Sequence, residues 1–142
     1  KLNEKKIIHL NDDMNYYGFG WSHNFNKQGI WSDGNFSTLL FRLEPDSHKK
    51  NLEIIFEPYL TSKNKNLQVE IYINNELNQN LKFETYNSLK DGKMNILIDK
   101  KFTEDKLIKI DFIIKNPISP LEVFENPDSR KLGILLKSLQ LK

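Results

Sequence analysis

Between Leu67 and Ile73 every second residue is apolar: Leu67, Val69, Ile71 and Ile73 alternate with Gln68, Glu70 and Tyr72. A period of two lines one face of a pleated strand, whereas a helix would scatter the same residues around its axis. Ile108, Ile110, Phe112 and Ile114 repeat the pattern. Shorter apolar or alternating runs recur at 6–10, 36–44, 51–59, 80–84, 93–99 and 132–141, with polar residues between them. Asn74–Asn75 predicts a tight hairpin turn and Asp91–Gly92 a second. Alanine is absent while Ile and Phe are plentiful, which disfavours a helical bundle. The last run is ambiguous. Leu132, Leu135, Leu136 and Leu139 fit helical spacing, yet Ile134, Leu136, Ser138 and Gln140 alternate with Leu135, Leu139 and Leu141. A closing strand beside the opening one would bring the termini together, so strand is the expectation. Eight strands and no long amphipathic helix read as an all-β sandwich.

A chain of 142 residues suits one domain spanning 1–142, large enough to bury its core without covalent staples. With no cysteine, disulfides and thiolate metal sites are excluded. The net charge is +2 and the two signs are interspersed, so no basic stripe marks a nucleic-acid surface. No apolar run approaches the roughly 20 residues of a spanning helix, so no membrane span is expected in this segment. The sequence opens at Lys1 rather than Met and is strand-like by Lys6. A domain cut from a longer protein is the expectation.

Both tryptophans and four of the six glycines lie between Tyr16 and Phe36. Tyr16, Tyr17, Phe19, Trp21, Phe25, Trp31 and Phe36 are set there among Gly18, Gly20, Gly29 and Gly34. Aromatic rings flanked by short polar side chains suit flat hydroxylated ligands, because sugar C–H faces stack on rings while amides and carboxylates bind hydroxyls. Trp21 and Trp31 are therefore either stacking platforms or plugs that close one end of the sandwich. Asp33–Gly34 is a turn signal, and Asp33 is also a candidate acceptor for a sugar hydroxyl. His23 is a candidate donor. Arg130 is one of only two arginines in a Lys-rich chain. Its planar fork suits a bidentate carboxylate. Pairing with Asp128 or Asp33 would fix the loop before the last strand, and an acidic sugar or phosphate is the alternative partner.

Gly20–Trp21, then Gly29–Ile30–Trp31–Ser32–Asp33–Gly34, the segment from Gln68 to Asn75, Ser119–Pro120, and Asp128–Ser129–Arg130–Lys131–Leu132–Gly133–Ile134 follow in that order. The ordered set resembles a jelly-roll accessory domain of bacterial envelope-polysaccharide proteins, including glycosyltransferases and membrane-bound glycan-modifying enzymes. The resemblance implies a carbohydrate-binding-like β-sandwich of jelly-roll topology without a catalytic centre. Its matching positions are Trp21, Trp31, Asp33, Gly34, Asp128, Arg130 and Gly133. It also implies a bacterial envelope or membrane-associated location, and a catalytic domain of the same parent chain as partner.

Asn11, Asp12, Asp13 and Asn15 supply clustered oxygens, but at no calcium-loop spacing. His9, His23 and His48 are isolated, with no spacing for zinc, so no metal or other cofactor is expected. There is no Gly-x-Ser-x-Gly elbow and no phosphate loop, and Glu53, Glu57, Glu70 and Glu84 fall at ordinary solvent-facing strand positions. The expected function is non-catalytic carbohydrate binding, by Trp21, His23, Trp31, Asp33 and Arg130. The alternatives are a docking domain without a ligand of its own, and a small glycan-acting enzyme.

Overall fold

The computed structural model describes residues 7–9, 17–22, 29–42, 51–84, 92–97 and 107–141. Among these are nine strands: β1 (Ile7–His9), β2 (Ile30–Asp33), β3 (Phe36–Arg42), β4 (Asn51–Pro58), β5 (Asn66–Ile73), β6 (Glu76–Glu84), β7 (Gly92–Leu97), β8 (Leu107–Ile114) and β9 (Leu132–Leu141). All strand pairs are antiparallel. One sheet runs β1–β9–β4–β7, with β2 also on β9, and the other runs β3–β8–β5–β6. β1 pairs the late residues of β9 and β2 the early ones, so the two lie end to end along one edge of that strand. From β2 onward the chain changes sheet at every connection but the β5–β6 hairpin, which is jelly-roll winding.

The inward faces are those that alternation predicts. Leu67, Val69, Ile71 and Ile73 of β5 and Ile108, Ile110, Phe112 and Ile114 of β8 are buried. They meet Leu52, Ile54 and Phe56 of β4 and Ile134, Leu136 and Leu139 of β9 in one core. The β5–β6 hairpin closes through Asn74 and Asn75 at φ 47° and 71°, the left-handed pair a tight turn needs. Asn74 also accepts from Lys109 N at 2.7 Å and donates to the Leu107 carbonyl at 3.2 Å, tying the turn to β8.

The ambiguity of the last run has a structural cause. β4 pairs Ile55 with Ser138 and then Phe56 with Leu136, so Lys137 is an extra residue on β9. This bulge changes the phase of the inward set from Ile134 and Leu136 to Leu139. An alternation that slips by one residue reads locally like a helical repeat.

One short segment joins the two sheets at their edges. Residues 17–19 pair with β3, through Gly18 N to the Thr38 carbonyl at 2.9 Å and Thr38 N to the Phe19 carbonyl at 3.0 Å. Residues 20–22 then pair with β2, through Asp33 N to the Gly20 carbonyl and Ser22 N to the Trp31 carbonyl, both at 2.8 Å. The change of partner falls at Gly20, whose φ is 87° and where a Cβ would lie 1.8 Å from the Phe36 carbonyl oxygen. Only glycine fits this corner. Gly20→Ala is expected to cost about 2–4 kcal/mol, combining left-handed strain with a backbone clash. A urea-unfolding midpoint unchanged by the substitution would contradict that account.

Candidate functional site

The crossing at Gly20 sends the two tryptophans to opposite places. Trp21 turns into the core, 8% exposed. Its indole N–H donates to the Thr38 carbonyl at 2.8 Å, and its ring meets Phe112 and Tyr17 edge-on, with centroids 5.9 and 5.6 Å apart. Of the two readings open for Trp21, its burial among the described residues fits the core plug.

Trp31 sits in β2 between two inward residues, Ile30 at 1% exposure and Ser32 at 0%. It therefore faces outward, opposite Leu135 of β9, and is half-buried. Its flank is covered edge-on by Tyr59, just past β4, with centroids 5.7 Å apart and planes at 87°. The Tyr59 hydroxyl donates to Glu125 Oε2 at 2.9 Å. Burial, this hydrogen bond and the charges of Glu125 and Asp128 push the phenol up to about 12, so it stays a neutral donor.

Arg130 is the hub beside this pair. Its Nε and Nη2 bind the Asp128 carboxylate at 3.0 and 2.6 Å, and its Nη1 donates to Ser22 Oγ at 2.6 Å. The Asp128 partner raises the guanidinium further, and the Arg130 bonds hold the Asp128 carboxyl below its usual range. Of the partners open to Arg130, the structure supplies Asp128, and the fork is satisfied within the chain. Asp33 is exposed, and its Oδ1 accepts from Lys131 N at 2.9 Å. The next turn is locked reciprocally, with Ser119 N donating to Glu122 Oε2 at 2.9 Å and Glu122 N to Ser119 Oγ at 3.1 Å. Lys131 closes on the other Glu122 oxygen.

Trp31, Asp33 and Arg130 are thus gathered at one end of the five-stranded sheet, Trp21 lies beneath them, and His23 lies outside the described residues. So do Asp12, Asp13 and the other oxygens near them. No cluster of three or more His, Asp or Glu suited to a metal occurs among the described residues. Tyr59 and Glu125 join the site without any local signal. Tyr59 only follows a strand, and Glu125 looks like a solvated loop acid until the fold brings them together. Two grooves of about 320 and 420 Å³ lie on the other sheet. Phe83, partly buried and edge-on to the core Phe56, lines the first, and no described aromatic residue lines the second.

The arrangement can bind but is poorly set for catalysis. Ser22 is 5% exposed, and its Oγ accepts from the Arg130 guanidinium. The Glu122 and Asp128 carboxyls are both held below their usual range, the wrong direction for a general acid.

No family model and no curated protein matches the sequence. Solved structures do match. The CBM36-1 domain of a multidomain xylanase from a Trinervitermes trinervoides hindgut metagenome aligns at TM-score 0.56 and 11% identity, covering 96% of this chain and 95% of that one. A CBM36 carbohydrate-binding module solved with calcium and xylotriose aligns at 0.50 and 8% identity, covering 96% and 99%. An acetyl xylan esterase from Butyrivibrio proteoclasticus aligns at 0.60 and 9% identity over 96% of this chain but only 32% of its own. The shared β-sandwich is the content of these likenesses.

The lock between Glu122, Lys131 and Ser119 makes a pH prediction. Donation from Lys131, then from Ser119, lowers the Glu122 carboxyl from 4.5 to about 2. A depressed carboxyl stabilises the fold above its unfolded value, and that contribution is lost as pH falls from about 4.5 toward 2. Glu122→Gln should therefore melt below the wild type at pH 7 and together with it at pH 2. An equal gap at both pH values would show that the ion pair is not the source.

Proposed function

We propose that the domain is a non-catalytic carbohydrate-binding module, with Trp31 as the platform on which a sugar ring stacks. The observation that carries this reading is the half-buried indole on the outside of β2, braced edge-on by Tyr59. Around it stands a fringe of polar groups held in place by their own bonds: Asp33, Asp128, Arg130 and Glu125. A rigid ring beside pre-oriented acceptors and donors is what sugar recognition asks of a surface, since little order has to be imposed on binding. The fold supports the reading through its likeness to modules named for carbohydrate binding, one solved with xylotriose. Trp21 contributes by fixing the layer beneath, and His23 is kept as a candidate donor.

The envelope context belongs to the same proposal. The ordered motifs resemble accessory domains of bacterial surface-glycan proteins, so the domain would serve a biosynthetic or modifying partner within one parent chain. A docking role is the second reading, favoured by Phe19, which is 73% exposed and leans on Phe36 at 6.4 Å.

A glycan array followed by titration tests the choice. The affinity expected of so shallow a site is roughly micromolar to millimolar. Trp31→Ala should weaken any hit at least about tenfold while leaving the circular dichroism unchanged. Absence of any hit, or a hit that Trp31→Ala leaves intact, would move the reading to docking.

A further inference from the structure

Beside the Trp31–Tyr59 pair, the turn at 119–125 holds a large aromatic residue in an unfavourable way. Phe124 has φ 61° and is 84% exposed. A bulky side chain is a rare occupant of the left-handed region, and here its ring gains almost nothing from burial in return. The turn enforces the conformation from both sides. Glu125 N donates to the Pro120 carbonyl at 2.9 Å, Phe124 N to the Leu121 carbonyl at 3.2 Å, and Leu121 N to the Asp128 carbonyl at 2.9 Å. Glu125, the next residue, is the one that takes the Tyr59 hydroxyl.

Facing Phe124 across the site is the loop after Tyr59. It is tied down by Thr61 Oγ1, which accepts from Lys63 N at 3.2 Å and Asn64 N at 3.0 Å, and by Asn64 Nδ2 donating to the Tyr59 carbonyl at 3.2 Å. The loop sets Lys63 Nζ over one face of the Phe124 ring, 4.8 Å from its centre, a cation–π contact. Arg130 is neutralised by Asp128, Lys131 by Glu122 and Lys137 by Glu57. Lys63 has no carboxylate partner among the described residues.

From this geometry we infer that Phe124 and Lys63 form a second wall of the site, and that the sugar it takes carries a carboxylate. The inference rests on the carbohydrate reading and names its ligand class: a glycan containing uronic acid. The face of the Phe124 ring turned away from Lys63 is open for stacking, and the long Lys63 side chain, held there among the described residues by the ring alone, is free to swing to a carboxylate at the rim of the stacked sugar. Arg130, the more obvious reader of acidic sugars, is already occupied by Asp128. Strain at Phe124 is then the cost of presenting a ring to solvent in the free protein, as at other ligand clamps.

The test is calorimetric titration with matched oligosaccharide pairs, such as oligogalacturonate against oligogalactoside and oligoglucuronate against oligoglucoside. Binding is compared for the wild type, Lys63→Gln, Phe124→Asn and Trp31→Ala. The acidic member of a pair should bind better than the neutral one, and Lys63→Gln should remove about a threefold to fivefold advantage without weakening neutral binding. High salt should erase the same advantage. Phe124→Asn should lower affinity for both members roughly fivefold to tenfold. Because Asn tolerates the left-handed region, its melting temperature should stay level or rise. Neutral glycans bound through Trp31 with no acidic preference, or a preference untouched by Lys63→Gln, would overturn this inference and leave the carbohydrate reading standing. A lower melting temperature with unchanged affinity in Phe124→Asn would make Phe124 structural and also overturn it. No binding to any pair would remove the carbohydrate reading and this inference together.

Discussion

The edge-to-edge join at residues 17–22 sets what the rest of the molecule presents. This segment leaves the β3 edge of one sheet for the β2 edge of the other at Gly20, so its backbone groups stay paired through the change. The turn of the chain there aims the next side chain between the sheets, so Trp21 becomes part of the core. It also seats β2 between residues 20–22 and β9, with Trp31 outward and Ser32 inward. Ser32, fully buried, is no defect in the core, because its hydroxyl accepts from Ile134 N at 2.9 Å. Ser37 likewise donates to the Gly20 carbonyl at 2.6 Å, bracing the corner from β3. The buried hydroxyls thus support backbone at the place where regular pairing changes hands.

Ser22 carries the consequence to the far loop. Buried one residue past Trp21, it takes a bond from Arg130, and Arg130 grips Asp128. Residues more than a hundred positions apart therefore fix one another, and the loop entering β9 is held against β2. That bond network explains why the polar fringe around Trp31 is satisfied internally and still available. Each carboxylate keeps unused acceptor capacity toward solvent while its position is set from behind. A fringe of this kind orients a hydroxylated ligand better than it drives a reaction.

Much of this order can be read in the chain. Clean alternation identifies β5 and β8, and Asn74–Asn75 identifies their neighbouring turn, because period and turn chemistry are local properties. β2 escapes such reading. It has four residues framed by Gly29 and Gly34, and it looks like aromatic loop until its pairing with β9 is seen. β6 begins at Glu76, earlier than its pattern suggests, because Leu77 is the one apolar residue among its first five and is itself exposed. The pairing of Arg130 with Asp128 is legible from two-residue spacing and arginine scarcity. The fates of Trp21 and Trp31 are not, since both sit in similar glycine-flanked contexts. What separates them is a change of sheet at Gly20, which no local pattern encodes. Tyr59, Glu125, Phe124 and Lys63 meet only because the loops after β4 and before β9 share one end of the sandwich.

The structure leaves one indole sealed and the other open, and the proposed function depends on that asymmetry. It can be watched directly, because each tryptophan gives its own indole N–H resonance. Two-dimensional nitrogen–proton spectra recorded during titration with neutral and acidic oligosaccharides would follow both at once, with Trp21→Phe and Trp31→Phe assigning the peaks. The account predicts that the Trp31 signal moves saturably while the Trp21 signal, bonded to the Thr38 carbonyl, stays where it is. Movement of Trp21 alone, or of neither signal at millimolar sugar, would contradict it.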